Sequence, residues 1–176
     1  SLVNWIPINI HILAGHADYA PESSMNDATV FENAKQILLE QNPLEADVLF
    51  LQFDELDGAG HEYGFSPTAE EYVNTATILD TYASDLFDII ENKRANGEDW
   101  MFIIISDHGG EGTSHSDGEH SNVNTTIFFA EHPDMLFKAN CCYFSNQTDL
   151  GPTVLDFLGI SSLHFENNTD GNSIIE

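Results

Sequence analysis

Apolar and polar positions follow two different periods along this chain. In residues 29–41, TVFENAKQILLEQ, apolar residues recur at helical spacing, and Thr29 with Glu32 fits a capping box at the start. Residues 47–54, DVLFLQFD, form a short apolar, β-rich run. SPTAEE then opens a long helix with Thr68 and Glu71 as a second capping box. Its inward stripe is Tyr72, Thr75, Ala76, Leu79, Ala83, Leu86 and Ile90, and Asn96-Gly97 ends it. The apolar runs WMFIIIS (100–106) and TTIFFAE (125–131) predict two more strands. DLGPTVLDFLGI (149–160) predicts a short helix ending at Gly159, and NWIPINIHIL near the N-terminus reads as a further strand.

Strands separated by helices imply parallel pairing and an α/β layered fold. In such folds ligands bind beyond the carboxyl ends of the strands. Two polar clusters, residues 54–61 and 107–120, begin where an apolar strand stops, which predicts that both sit on one edge of the sheet.

Charge narrows the choice of partner. Among 176 residues, 4 Lys+Arg face 30 Asp+Glu, a formal charge of -26. Such a chain is repelled by duplex nucleic acid and by anionic membranes, and it attracts cations. Most of the acids are expected to form a solvated surface suited to a secreted or extracellular setting. No apolar run is long enough to span a membrane. Asn124, Asn146 and Asn167 open Asn-x-Thr sequons, which fit a secreted glycoprotein. The two cysteines, Cys141 and Cys142, are adjacent, a spacing that suits neither metal binding nor a mutual disulfide.

The chemistry-bearing residues lie in the two polar clusters. Asp57 and His61 stand four apart with Gly58 and Gly60 between them, and the glycines permit a tight loop that brings both side chains to one cation. In SDHGG, Asp107 and His108 would point to opposite faces of a regular strand. They converge only if the chain turns there, as Gly109-Gly110 allows. His115 or His120 could return to complete a site. Mixed carboxylate and imidazole ligands suit zinc, manganese or iron better than calcium. Two Asp and three His exceed the needs of one tetrahedral ion, which points to a two-metal centre acting on an in-line displacement. Asp54 and Glu55 read as loop carboxylates or as partners orienting a histidine. Glu111, Asp117 and Glu119 read as solvated loop acids. His11, His16, His132 and His164 are read as structural.

DELDGAGHEYG, a long helix containing ILD, and IIISDHGGEGTSH follow one another in an order that resembles the alkaline phosphatase superfamily, in particular its type I phosphodiesterase/nucleotide pyrophosphatase branch. DLGPTVLDFLGI and DGNS (170–173) are similar to segments near the end of such domains. The resemblance implies a three-layer α/β sandwich with a mostly parallel central sheet. It implies hydrolysis of a small phosphate ester, a phosphodiester or nucleotide pyrophosphate before a monoester, with two divalent ions, expected to be Zn2+. By position, Asp57 and His61 match two ligands of the first metal, and Asp107 and His108 two of the second. The third ligand of the first metal falls at His115, with His120 as the alternative.

Two motifs of the family, an Asp ending the first strand and a Thr or Ser nucleophile at a helix N-terminus, have no match in the 56 residues before Asp57. Residues 1–176 are therefore expected to be the C-terminal portion of a single catalytic domain, with the nucleophile half absent from this sequence. Either the sequence is a fragment or one piece of a cleaved precursor whose other half is a separate chain, or it is a truncated relative that binds metal without a nucleophile. Sulfatase-like or phosphomonoesterase activity is the same-class alternative. A non-catalytic, acidic, cation-binding module is the alternative from another class. Imidazole ligands must be neutral to bind metal. Metal is accordingly expected to leave as pH falls through the histidine range, measured as metal retained after dialysis. Full retention well below about pH 5 would contradict imidazole ligation.

Overall fold

The computed structural model describes residues 1–22, 25–138, 145–161 and 169–176. Cys141, Cys142, His164 and Asn167 lie outside the described residues. The fold mixes helices with small two-stranded sheets, and the chain divides into two compact units.

The first unit comprises Ser1–Glu98 and Gly110–Ser116. Strand β1 (Leu2–Val3) pairs in parallel with β2 (Leu51–Gln52), Leu2 opposite Leu51 and Val3 opposite Gln52. Helix α1 (Asp27–Leu38) connects them, as a parallel crossover requires. Val30, Phe31, Ala34, Ile37 and Leu38 form its buried face, joined in the core by Leu2 and Val3. Phe31 stacks on Tyr82 at 4.3 Å, which ties α1 to the long helix α3 (Glu70–Ala95). The buried residues of α3, Leu86 and Ile90, belong to the stripe expected from its periodicity, and Gly97, with φ +93°, follows its end. Between β2 and α3 lies α2 (Glu55–Tyr63).

Both expected capping boxes give way to other arrangements. Asn26 caps α1, its side chain accepting from the amide and the hydroxyl of Thr29, so this helix starts two residues before Thr29. At α3 the first flanking residue is Ala69, which makes no side-chain cap. The Thr68 hydroxyl instead lies 2.8 Å from that of Ser66. The strand expected over residues 4–13 is also absent. Pro7 cannot donate to a ladder, and Ile8–Leu13 coils into a wide π-type turn that ends at Ala14 in the left-handed region. Asn9, buried in this turn, accepts from the Ser1 hydroxyl and donates to the Pro21 carbonyl.

One buried carboxylate organises the unit. Asp27 has no exposed surface. Its Oδ1 accepts from Asn4 Nδ2 at 2.7 Å and from the amide of Asp54 at 2.9 Å, and its Oδ2 accepts from the amide of Glu55 at 3.0 Å. The amide of Asp27 donates in return to Glu55 Oε1 at 3.3 Å. The first turns of α1 and α2 thus satisfy each other's orphan amides, and negative charge sits at two positive helix ends.

The second unit comprises Asp99–Gly109 and Asp117–Glu176. Strand β3 (Phe102–Ile105) pairs with β4 (Phe128–Glu131) in antiparallel fashion, Phe102 opposite Glu131 and Ile105 opposite Phe128. This differs from the parallel pairing expected. The only helix between them among the described residues, α4 (Ser121–Asn124), has 4 residues, too few for a parallel crossover. A three-layer sandwich around a large parallel sheet is accordingly not what these small sheets display. Helix α5 (Leu150–Phe157) follows a single 3-10 turn, Gln147–Asp149, and Gly159 with φ +71° lies just past its end. Asp149, largely buried, accepts from the amides of Asn146 and Asn172, and so joins α5 to the DGNS segment. A Cβ on Gly171 would lie 2.1 Å from the Thr148 carbonyl, so glycine is required there for close approach.

Removing the Asp27 acceptor leaves Asn4 Nδ2 and two partly buried helix-end amides, those of Asp54 and Glu55, without their partner. Asp27→Ala is expected to cost about 3 kcal/mol of stability, read from the midpoint of denaturant unfolding. A loss near zero would show that water or rearrangement replaces the carboxylate.

Candidate metal centre

The first unit gathers three of the expected ligands. Residues 55–63 form helix α2, not the tight loop expected from the glycines. Asp57 and His61 are therefore one helical turn apart on the same face. His115 arrives from the Gly110–Ser116 segment, where Glu111 and Ser114 exchange amide–carbonyl bonds across a tight turn with Gly112 at φ +59°. One ligand atom from each of Asp57, His61 and His115 lies within 4.8 Å of the others.

The distances suit a shared ion. His61 Nε2 lies 3.4 Å from Asp57 Oδ2, and His115 Nε2 lies 3.6 Å from Asp57 Oδ1, an oxygen shielded from solvent. These separations exceed ordinary hydrogen bonds. Donor atoms about 2.1 Å from a tetrahedral ion lie about 3.4 Å from one another. Two imidazoles and one carboxylate are also a donor set that zinc accepts. His61 Nδ1 is 2.9 Å from the carbonyl of Thr113. A carbonyl only accepts, so Nδ1 carries the proton and the Nε2 lone pair faces Asp57.

A phenylalanine stands behind both imidazoles. The Phe65 ring meets His61 edge-on at 5.5 Å and His115 at 6.3 Å. The Phe65 amide donates to the Gly112 carbonyl at 2.7 Å, which holds α2's exit against the His115 segment. The glycines are explained by this ring. A Cβ would come within 2.3 Å of Phe65 at Gly60 and within 2.2 Å at Gly110, whereas one at Gly58 would meet nothing within 4 Å. Tyr72 packs on the same ring at 5.8 Å. Partial burial, with the Asp57 charge second, holds its phenol above the usual range.

Asp107 and His108 belong to the second unit, at the end of β3. His108 Nδ1 donates to the Gly109 carbonyl at 2.8 Å, leaving Nε2 3.6 Å from Asp107 Oδ2. This pair repeats the tautomer and the spacing seen between His61 and Asp57. Asp107 is 88% exposed, open to a ligand. Gln147 Nε2 donates to the carbonyls of Ser106 and Asp107 and fixes the backbone beneath them. Neither Gly109 nor Gly110 has positive φ, so they do not make the turn by unusual dihedrals. A Cβ on Gly109 would lie 2.0 Å from the Asn122 carbonyl, and close approach to α4 is its role.

His120, the alternative ligand, lies at the start of α4. It caps α4, its Nδ1 accepting from the Asn122 amide at 3.2 Å. A neutral imidazole in that role carries its proton on Nε2. Asp54 accepts from Gln52 Nε2, and Glu55 from the Asp27 amide. Glu111, Asp117 and Glu119 are exposed. His132, read as structural, lies 2.7 Å from Asp99 Oδ1 and packs on Phe157.

Phe65, Thr113 and Asp27 were invisible as functional residues in the sequence. Only Gly60, a glycine inside what proves to be a helix, hinted at a close packing partner. The model of the family described as type I phosphodiesterase / nucleotide pyrophosphatase matches residues 9–148, a span that includes both Asp-His pairs, His115 and His120. No curated protein and no solved structure matches the chain.

Proposed function

The chain belongs to the type I phosphodiesterase/nucleotide pyrophosphatase family, part of the alkaline phosphatase superfamily, and from that premise we propose that it serves metal-dependent hydrolysis of a phosphodiester or nucleotide pyrophosphate at a two-metal centre. The single observation that carries the reading is the convergence of Asp57, His61 and His115. These three residues would hold the first divalent ion, and Asp107 with His108 would contribute to the second, zinc being the metal that best fits the donors. Held by these residues, the ions would supply Lewis acidity to a phosphoryl oxygen and to the attacking hydroxyl.

The chain's own residues set the conditions for that chemistry. The Thr113 carbonyl keeps the His61 proton on Nδ1, and the Gly109 carbonyl does the same for His108. Asp57 and Asp107 add the negative charge that a divalent ion requires. His115, with its Nε2 turned to Asp57, is the third ligand in this reading, and His120 is a helix cap. The attacking hydroxyl is assigned to no residue of this chain in this reading. Secretion is part of the proposal. It is supported by the acidic composition and by the exposure of the sequon residues Asn124 and Asn146.

The test is metal content followed by hydrolysis of a bis-ester, a monoester and a sulfate ester, in the full-length protein. Wild type is expected to carry zinc and to prefer the bis-ester, and Asp107→Ala to abolish turnover. His115→Ala is expected to weaken zinc binding by more than about 100-fold, while His120→Ala leaves it within about 3-fold. Preference for the monoester or the sulfate ester would redirect the substrate. Wild type free of transition metal and inert toward all three would leave the acidic cation-binding module.

A further inference from the structure

We infer that Phe65 is a positioning residue: its ring is a wedge that holds the His61 and His115 imidazoles at the angles needed to share one ion. The inference rests on the reading of Asp57, His61 and His115 as ligands, and it assigns a role to a residue that binds nothing itself.

Three observations carry it. Phe65 touches both imidazoles edge-on, with interplanar angles of 79° and 84°. The two imidazoles stand 4.9 Å apart and are inclined by 57°, so neither stacks on the other, and both meet the Phe65 surface. Edge-to-face contacts give such a surface a preferred angle. The Phe65 ring is itself fixed, because the missing Cβ atoms of Gly60 and Gly110 leave space that it fills on two sides. Gly60 lies on the helix that carries both Asp57 and His61, and Gly110 lies on the segment that carries His115. The wedge therefore bears on both sources of ligands.

The residue types also agree with this role. Glycine inside a helix is unfavourable compared with alanine. Gly60 has φ in the ordinary range and a buried position, so conformational need does not explain it. Clearance for the ring does. An apolar ring behind the imidazoles also excludes water from one side of the site, which strengthens ligation by lowering the local dielectric.

The experiment is a mutant cycle read by zinc affinity, using competition with a chromophoric chelator, with the visible spectrum of the cobalt-loaded protein as a second readout. Apo-protein melting is recorded for every variant. Phe65→Ala is expected to weaken zinc binding by about 10-fold or more and to alter the cobalt spectrum. Gly60→Ala and Gly110→Ala are each expected to weaken zinc binding, because the new methyl displaces the ring, even though alanine at position 60 favours the helix. In the Phe65→Ala background the same glycine changes are expected to have no further effect, since the ring they displaced is gone. A purely structural role would lower melting in Phe65→Ala and leave the apparent zinc affinity of the folded fraction and the cobalt spectrum unchanged, and that result overturns the inference. So would glycine effects that persist at full size without the ring. Wild type that fails to bind zinc or cobalt overturns the ligand reading first and removes this inference with it, whereas wild-type binding with unaffected Phe65 variants overturns the wedge alone.

Discussion

The site depends on where one nine-residue helix begins. Helix α2 carries Asp57 and His61 on one face, and the position of that face is set by the Asp27 carboxylate, which binds the amides of Asp54 and Glu55. A fully buried carboxylate is tolerated because three donors satisfy it, two of them at a helix N-terminus. The reciprocal bond from the Asp27 amide to Glu55 means that neither helix can shift without breaking the other's first turn. From this anchor the chain needs only one more contact set, Phe65 with the Gly110–Ser116 segment, to bring His115 within reach of Asp57.

The two Asp-His pairs reach the same local chemistry by different routes. Asp57 and His61 are a helical turn apart, and their rigidity comes from the helix and from Phe65. Asp107 and His108 are adjacent, and their geometry comes from the backbone bend after β3, held by Gln147. In both, an Nδ1–H bonded to a main-chain carbonyl leaves Nε2 directed at the carboxylate. The repeated tautomer matters, because a histidine without such a partner spends part of its time with the wrong nitrogen protonated. His120 shows the opposite choice: Nδ1 accepts, and the residue ends as a cap.

The cluster of Asp57, His61 and His115 was legible in the sequence as candidate ligands, and what the sequence concealed shares a physical cause. Asp57, His61, Asp107, His108 and His115 stood out because acidic and imidazole side chains rarely cluster after apolar runs without chemical reason. The long helix was legible from its stripe, and its end from Asn96-Gly97. The pairing of β3 with β4 was not. A four-residue strand has the same pattern whether its neighbour runs parallel or antiparallel, and only the length of helix between them decides. The segment around Asp57 was misjudged because two glycines in five residues resemble a loop, although Gly60 serves a tertiary contact inside a helix. Asp27 was hidden for the same reason: an acid next to a capping asparagine looks like a solvated first-turn residue until tertiary structure buries it.

The central claim is that Asp57, His61 and His115 form one preassembled metal site. The most direct measurement is anomalous diffraction at the zinc edge from crystals of the zinc-loaded protein. The account predicts a peak within coordination distance of Asp57, His61 Nε2 and His115 Nε2, with His61 Nδ1 still donating to the Thr113 carbonyl. A peak bound through His61 Nδ1, or zinc confined to the exposed acids with none among these three residues, would contradict it.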